Sequence, residues 1–521
     1  MPAGDGSWIA PDGEYQDLAR DLCGSDPRLR WPDEKMTRYG VFWPNRECRV
    51  IVLEWQENES NGQASATLVR REFNDSETLR LYLNSQSKTQ GNSVYIVEGA
   101  NHDFVGVLGP YFGLHPSIFI DYERITTVAV PPDRGQSSLL ASSHASRGYL
   151  CMSYQEMVLL PEPIRDKFRA RCPDTARIIR TTRLNGTFGS AGIIHRRCVF
   201  WSRARSANSG WDSIVMCDPP IRRIKILDDG PMKGLVVPVT PGLPGDGYID
   251  FVPLDAQVRC RRGPPRTSIA NDMLFYLTTH HNLVDMSRPE SVSLFLKKII
   301  ASHYTKHFDY LRKNVMETLR GMGRQSNFAR FDLSAVEANW SDTQTLERRL
   351  GHFFIDLEEV LVQLRVPLEP PDFNQISSWQ DVDVDFRFLY HRFSWIRQSV
   401  DRANSSITGL VSIAGNRQAF REQQLSLLTA ERSRNLTFIG LVFVPLSVIS
   451  SLFSMSEPYG PGQEKFWLYF AISIPVAIFV LVIYSISDSL VDVSRSMLDF
   501  VLNLFQRRPS HSSKQSADKM A

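Results

Sequence analysis

Apolar residues recur along this chain in two rhythms, and the change from one to the other divides it. Through the first half they come in short runs bounded by turn residues. CRVIVLEW (48–55), SVYIVEG (93–99), SIFIDYE (117–123), GIIHRRCVFW (192–201) and DSIVMCD (212–218) predict strands. LVRREFNDSETLRLYLNSQ (68–86) has helical spacing instead. Together these runs predict a mixed α/β domain over residues 1–265, closed by a Gly/Pro-rich stretch from Asp229 to Pro265. From Ile269 the rhythm becomes helical, in ANDMLFYLTTHHNLVDM, SVSLFLKKIIASHYTKHFDYLRKNVMETLRGM and LERRLGHFFIDLEEVLVQL. This helical region, 266–371, ends at Pro367, Pro370 and Pro371. Beyond it, Asp372 to Val444 holds no proline in 73 residues, and its glycines are Gly409, Gly415 and Gly440. One helix of that length would run about 110 Å at 1.5 Å per residue. We read 372–434 as a long stalk helix. Ile396, Val400, Ala403, Ile407, Leu410 and Ala414 keep a 3–4 spacing suited to packing on other helices, including an intramolecular bundle.

The C-terminal part changes character again. Asn435 to Ser456 is 22 residues without a charge, and Phe466 to Ser487 is another 22. Both are rich in Leu, Ile, Val and Phe, and about 20 such residues suffice to cross a hydrocarbon core of ~30 Å. Pro445 and Pro475 sit inside them, which membrane helices tolerate. Residues 435–456 and 466–487 are therefore expected to be transmembrane helices joined by a loop over 457–465. Arg417, Arg421, Arg432 and Arg434 precede the first span and Arg495, Arg507 and Arg508 follow the second, while the loop has one Lys against two Glu. That asymmetry places both termini in the cytosol. The start of the chain shows no signal peptide, which agrees with it. The tail from 488 onward is read as cytosolic.

Bulk composition conceals this segment. Over 521 residues the net charge is +2 and 42% of residues are apolar, with a mean hydropathy of -0.22. Near-neutrality offers no footprint for a nucleic-acid partner. The seven cysteines, Cys23 to Cys260, include no CxxC pair, which argues against a zinc ribbon or a disulfide framework and fits reduced thiols.

Thr437, Gly440, Val444, Ser447, Ser451 and Ser454 fall within about a third of the first span's circumference at 100° per residue. Such a face serves either close helix packing or, in a ring of subunits, the lining of a polar path.

FVPLSVISSLFSM (443–455) resembles the signature of the CorA metal-ion transporters, a Phe-x-Pro-Leu-Thr run leading to Gly-Met-Asn. Phe443, Pro445 and Leu446 match, and Ser447 replaces the Thr. The layout is similar too: an α/β cytosolic N-terminal domain followed by a long helical stalk and two C-terminal transmembrane helices. Residues 93–119 and 209–220 look like the fungal branch of that family. The resemblance implies a homopentamer carrying magnesium or another divalent cation as cargo, with no enzymatic activity and no resident cofactor. It implies a path lined by Thr437, Gly440, Val444, Ser447 and Ser451, and an outer filter at Ser454, Met455 and Ser456. Glu457 and Glu464 would attract cations at the mouth. Ser454-Met455-Ser456 stands where the family has Gly-Met-Asn, and Mg²⁺ is recognised through its water shell by longer neutral ligands. The alternative expectation is therefore a non-conducting, membrane-anchored regulatory or scaffold protein. The plasma membrane is the expected location, with the vacuolar membrane as the alternative.

Other signals are weaker. His280 and His281 are neighbours on a helix and point about 100° apart, a poor metal pair. GTFGSAG (186–192) lacks the Lys-Ser/Thr of a phosphate loop. The arginines of 165–183 and 195–197 suggest a solvated strand face more than a nucleotide or headgroup site.

Overall fold

The computed structural model describes residues 9–26, 29, 47–58, 65–85, 91–123, 140–159, 169–175, 177–182, 191–205, 210–227, 234–242, 247–253, 263–325, 333–372, 378–454, 461–484 and 486. Contacts gather the chain into two units, Met1–Thr408 and Gly409–Ala521.

The first unit is built on a ten-stranded sheet. Its strands are β1 (Arg49–Asn58), β2 (Ser65–Phe73), β3 (Asn92–Glu98), β4 (Tyr149–Leu159), β5 (Arg169–Arg171), β6 (Ile178–Thr182), β7 (Ala191–Ala204), β8 (Trp211–Cys217), β9 (Arg223–Ile226) and β10 (Val236–Pro238). They lie in the order β10-β9-β5-β6-β7-β8-β3-β1-β2, with β4 paired to the other edge of β7. Only the β3–β8 pairing is parallel among those described.

Both faces of the sheet's centre are covered, and side chains divide between them with the strand period of two. Val50, Val52, Tyr95, Val97, Ile214 and Met216 point to one face. There they meet α1 (Glu14–Leu22), α2 (Ser76–Ser85), α3 (His102–Phe112) and α4 (Ser117–Glu123). A fifth short helix, α5 (Ala141–Ala145), precedes β4. Ile51, Leu53, Val94, Ile96, Cys198 and Val215 point to the opposite face. They pack on α6 (Ile269–Thr279), α7 (Ser293–Gln325), α8 (Leu333–Leu364) and the start of α9 (Val382–Ser454). Along α9 the buried positions Phe386, Leu389, Phe393, Ile396, Val400, Ala403 and Ile407 follow 3–4 spacing. Leu410 and Ala414 continue that stripe but are only half-buried. The intramolecular bundle thus accounts for the stripe as far as Ile407.

Two elements differ from their sequence reading. SIFIDYE folds as helix α4, not as a strand, and every one of its seven residues is buried. LVRREFNDSETLRLYLNSQ is not one helix: its first part is edge strand β2, in register with β1 from Ser65 to Phe73. Asp75 then starts α2, its carboxylate accepting from Thr78 N at 2.9 Å.

In the second unit, α9 continues through Pro445 to Ser454, and a further helix, α10 (Trp467–Tyr484), follows. Each carries an apolar window long enough to cross a membrane, with 0% and 6% of the window buried. The expected architecture is observed: a mixed α/β domain, a long helix and two C-terminal apolar helices.

Candidate functional site

The two apolar helices meet along one stripe of each. On α9, Phe438, Val442, Pro445, Leu446, Ile449 and Phe453 are half-buried among exposed neighbours. On α10 the covered positions are Leu468, Tyr469, Ser473, Val476, Ala477, Val480 and Tyr484. Aromatic pairs mark both ends of the seam. Phe438 and Tyr484 lie 4.7 Å apart by ring centroids, and Phe453 and Tyr469 lie 6.0 Å apart.

The sequence-selected face of α9 is not part of that seam. Thr437, Val444, Ser447, Ser451 and Ser454 are all exposed. Gly440 is half-buried, yet a Cβ built on it would touch nothing within 4 Å. At 100° per residue the two sets are centred about 180° apart on the helix. The second helix therefore covers one side of α9 and leaves the small and hydroxyl-bearing side open. Two of those hydroxyls are turned back on the backbone: Thr437 Oγ1 donates to Ser433 O and Ser447 Oγ to Phe443 O, each at 2.8 Å. This back-bonding satisfies a serine or threonine in apolar surroundings and leaves its lone pairs available. Glu464 is an exposed loop residue just before α10. Met455, Ser456 and Glu457 lie outside the described residues.

In the first unit, three of the arginines read as a solvated strand face are instead buried, while Arg171 is half-buried. Arg177 and Arg196 are each 1% exposed and Arg197 is 3% exposed. Arg177 pairs with Asp218 through Nε at 3.1 Å and donates to Tyr122 O at 2.8 Å. Arg197 Nη1 donates to Asp121 O at 2.9 Å. These two guanidinium groups therefore occupy the carbonyl end of α4, where a helix leaves acceptors unsatisfied and favours cations. Burial works against the Arg177 charge, but Asp218 and Glu123 outweigh it and raise its pKa. On the other face Arg196 pairs with Glu156, whose carboxyl is raised by burial. Nothing in single-sequence patterning distinguishes such arginines from surface ones, because the partners of Arg177 and Arg197 lie 41 residues or more away along the chain.

The histidines are core residues. His303 and His307 are buried among aromatic rings, and burial holds both down to about 3. His280 packs against Phe275 and Tyr276, whereas His281 is exposed. Asp272 accepts from Tyr248 Oη at 2.5 Å and from Arg266 N at 2.7 Å, and burial pushes its carboxyl up to about 6. No group of three or more His, Cys, Asp or Glu that could hold a metal ion occurs among the described residues. Cys48, Cys151, Cys172, Cys198 and Cys217 are buried free thiols and Cys23 is half-buried.

No family model matches the chain, and no curated protein matches it in sequence. Among solved structures, it is similar to the CorA magnesium transporter from Methanocaldococcus jannaschii, at 10% identity and a TM-score of 0.31, over 84% of this chain and 97% of that one. It is also similar to full-length CmaX, at 12% identity and a TM-score of 0.29, over 85% of this chain and 98% of that one. Likenesses this loose carry no argument about what this chain does.

Proposed function

We propose that the chain is an oligomeric membrane channel or transporter for divalent cations, with both termini in the cytosol. The observation that carries this reading is the opposition of faces on α9. The second apolar helix packs on one side, and the open side carries Thr437, Gly440, Val444, Ser447 and Ser451. A polar-lined face left open by the chain's own second helix suits the inner wall of a ring of copies. The FVPLSVISSLFSM motif (443–455) and its resemblance to the CorA signature support the same reading. In the ring, a pentamer by that resemblance, Ser454 to Ser456 form the outer filter, and Glu457 and Glu464 raise the local cation concentration. The arginine asymmetry supports the orientation. The plasma membrane is the proposed location.

Purified protein in liposomes passes Mg²⁺, Co²⁺, Ni²⁺ or Zn²⁺ to an entrapped dye, and Ser447→Trp blocks that flux. The reading is sunk if none of the four ions passes above an empty-vesicle control. One observation favours a second reading, a non-conducting regulatory protein: Ser454 and Ser456 stand where the family signature has Gly and Asn. Under it the native chain is silent, and Ser454→Gly with Ser456→Asn gains conductance.

A further inference from the structure

Burial of Arg177, Arg196 and Arg197 removes three of the cations that sequence made candidates for a phosphate-bearing ligand, and another set of cations is open. A groove of about 440 Å³ runs along α7 beside α9 within the first unit, inside the ~300–1,000 Å³ range of small-molecule sites. Arg312, Lys313 and Arg320 line it together with Asp309 and Glu317, and Trp395 with Met316 supplies its apolar surface.

All of these α7 positions project from about 140° of the helix, spread over about 16 Å of its length. Trp395 is 39% exposed. Asp309 and Lys313, or Lys313 and Glu317, have the i,i+4 spacing of a helical ion pair. Among the described residues, however, none of these five charged groups is hydrogen-bonded or ion-paired. The groove thus presents three guanidinium or ammonium groups, two carboxylates and an indole in one concavity, none engaged with another.

We propose that this groove binds a nucleoside polyphosphate. Each part of such a ligand has a counterpart there. A base stacks on an aromatic face such as Trp395, a contact tolerant of base identity. Arginine and lysine take phosphate oxygens. A carboxylate accepts from ribose hydroxyls, as in dinucleotide sites. Bare polyphosphate would leave the indole and the carboxylates without a partner. The proposal is independent of ion conduction, and its test involves no flux.

Full-length protein in detergent is titrated with ATP and, separately, with inorganic tripolyphosphate by calorimetry. The native chain, Trp395→Ala and the double variant Arg312→Gln with Lys313→Gln are compared. These positions lie at the surface, and unchanged thermal melting of each variant shows that it is folded. The expected result is saturable ATP binding weakened at least about tenfold, or about 1.4 kcal/mol, by each change. Tripolyphosphate binds more weakly and is indifferent to Trp395→Ala. Absence of saturable ATP binding by the native chain, which includes the case of a groove covered by a second copy, overturns the proposal. So does ATP binding that neither variant alters, or tripolyphosphate binding as tight as that of ATP.

Discussion

Phe353 and Phe443 are the same side chain in opposite circumstances. Phe353 on α8 is 1% exposed and packs 4.1 Å from Phe393 by ring centroids. Phe443 on α9 is 65% exposed. The first unit hides most of its large apolar residues between a sheet and two layers of helices, as water requires. The second presents Leu436, Ile439, Phe443, Val448 and Leu452 outward, beside and between its exposed Thr437, Ser447, Ser451 and Ser454. Side-chain identity does not separate Phe353 from Phe443. The partner of each apolar face does: protein in the first unit, and in the second a hydrocarbon phase under the proposed reading. Polar groups invert as well. The first unit buries charged side chains that are paired or hydrogen-bonded, as Arg177 with Asp218 and Arg196 with Glu156, whereas the window of each apolar helix omits them.

The sharpest attempt to break this contrast removes a buried charge. Arg177→Met leaves Asp218 and Tyr122 O without their donor and is expected to cost about 4 kcal/mol. Denaturant unfolding followed by circular dichroism measures it, and a cost under about 1 kcal/mol would mean that water reaches the pair. Next comes the matched aromatic comparison. Phe353→Ala is expected to cost about 3 kcal/mol through its cavity, and Phe443→Ala less than about 0.5 kcal/mol in detergent. Equal costs would show that Phe443 is packed against something.

Acidity sharpens the contrast from inside the first unit. His303 is neutral when folded, with its pKa held near 3, whereas an unfolded histidine titrates near 6.5. Between those values the unfolded chain binds the extra proton, so stability is full above about 6.5 and falls with pH through that window. Asp272 acts in the opposite sense. Raised to about 6, it favours the fold below about 4 and loses that contribution as pH climbs through 6. Replacing His303→Phe should remove about 2 kcal/mol of the stability difference between pH 7.5 and pH 5, read from paired denaturant curves. The smallest effect belongs to the loop: Glu464→Gln should lower liposome flux about twofold at low ionic strength and leave it unchanged at high salt.

Much of this architecture is legible in one sequence because it rests on local periodicity. β1, β3, β7 and β8 announce themselves by bounded apolar runs, and both apolar helices by the absence of charge. What escaped is non-local. Ser117 to Glu123 has the alternation of a strand, yet its helix is held by arginines far along the chain. Leu68 to Phe73 has helical spacing, yet pairing with β1 makes it an edge strand. The small-residue face was visible at once, but its position opposite α10 required knowing which stripe α10 covers. The groove beside Trp395 gave no signal, because its walls come from helices more than 70 residues apart.

The capping of α4 carries a consequence for the order in which the molecule assembles. Seven residues are too few to hold a helix in water without tertiary support. The guanidinium groups on its last carbonyls belong to residues 55 and 76 positions further along. On a ribosome adding about 5–20 residues per second, the second of these arrives roughly 4–15 seconds after the helix itself. For that interval α4 lacks its cap, and its stable formation waits for β6 and β7 to dock. The N-terminal face of the sheet is therefore a late event of synthesis, although almost every residue that builds it is made first.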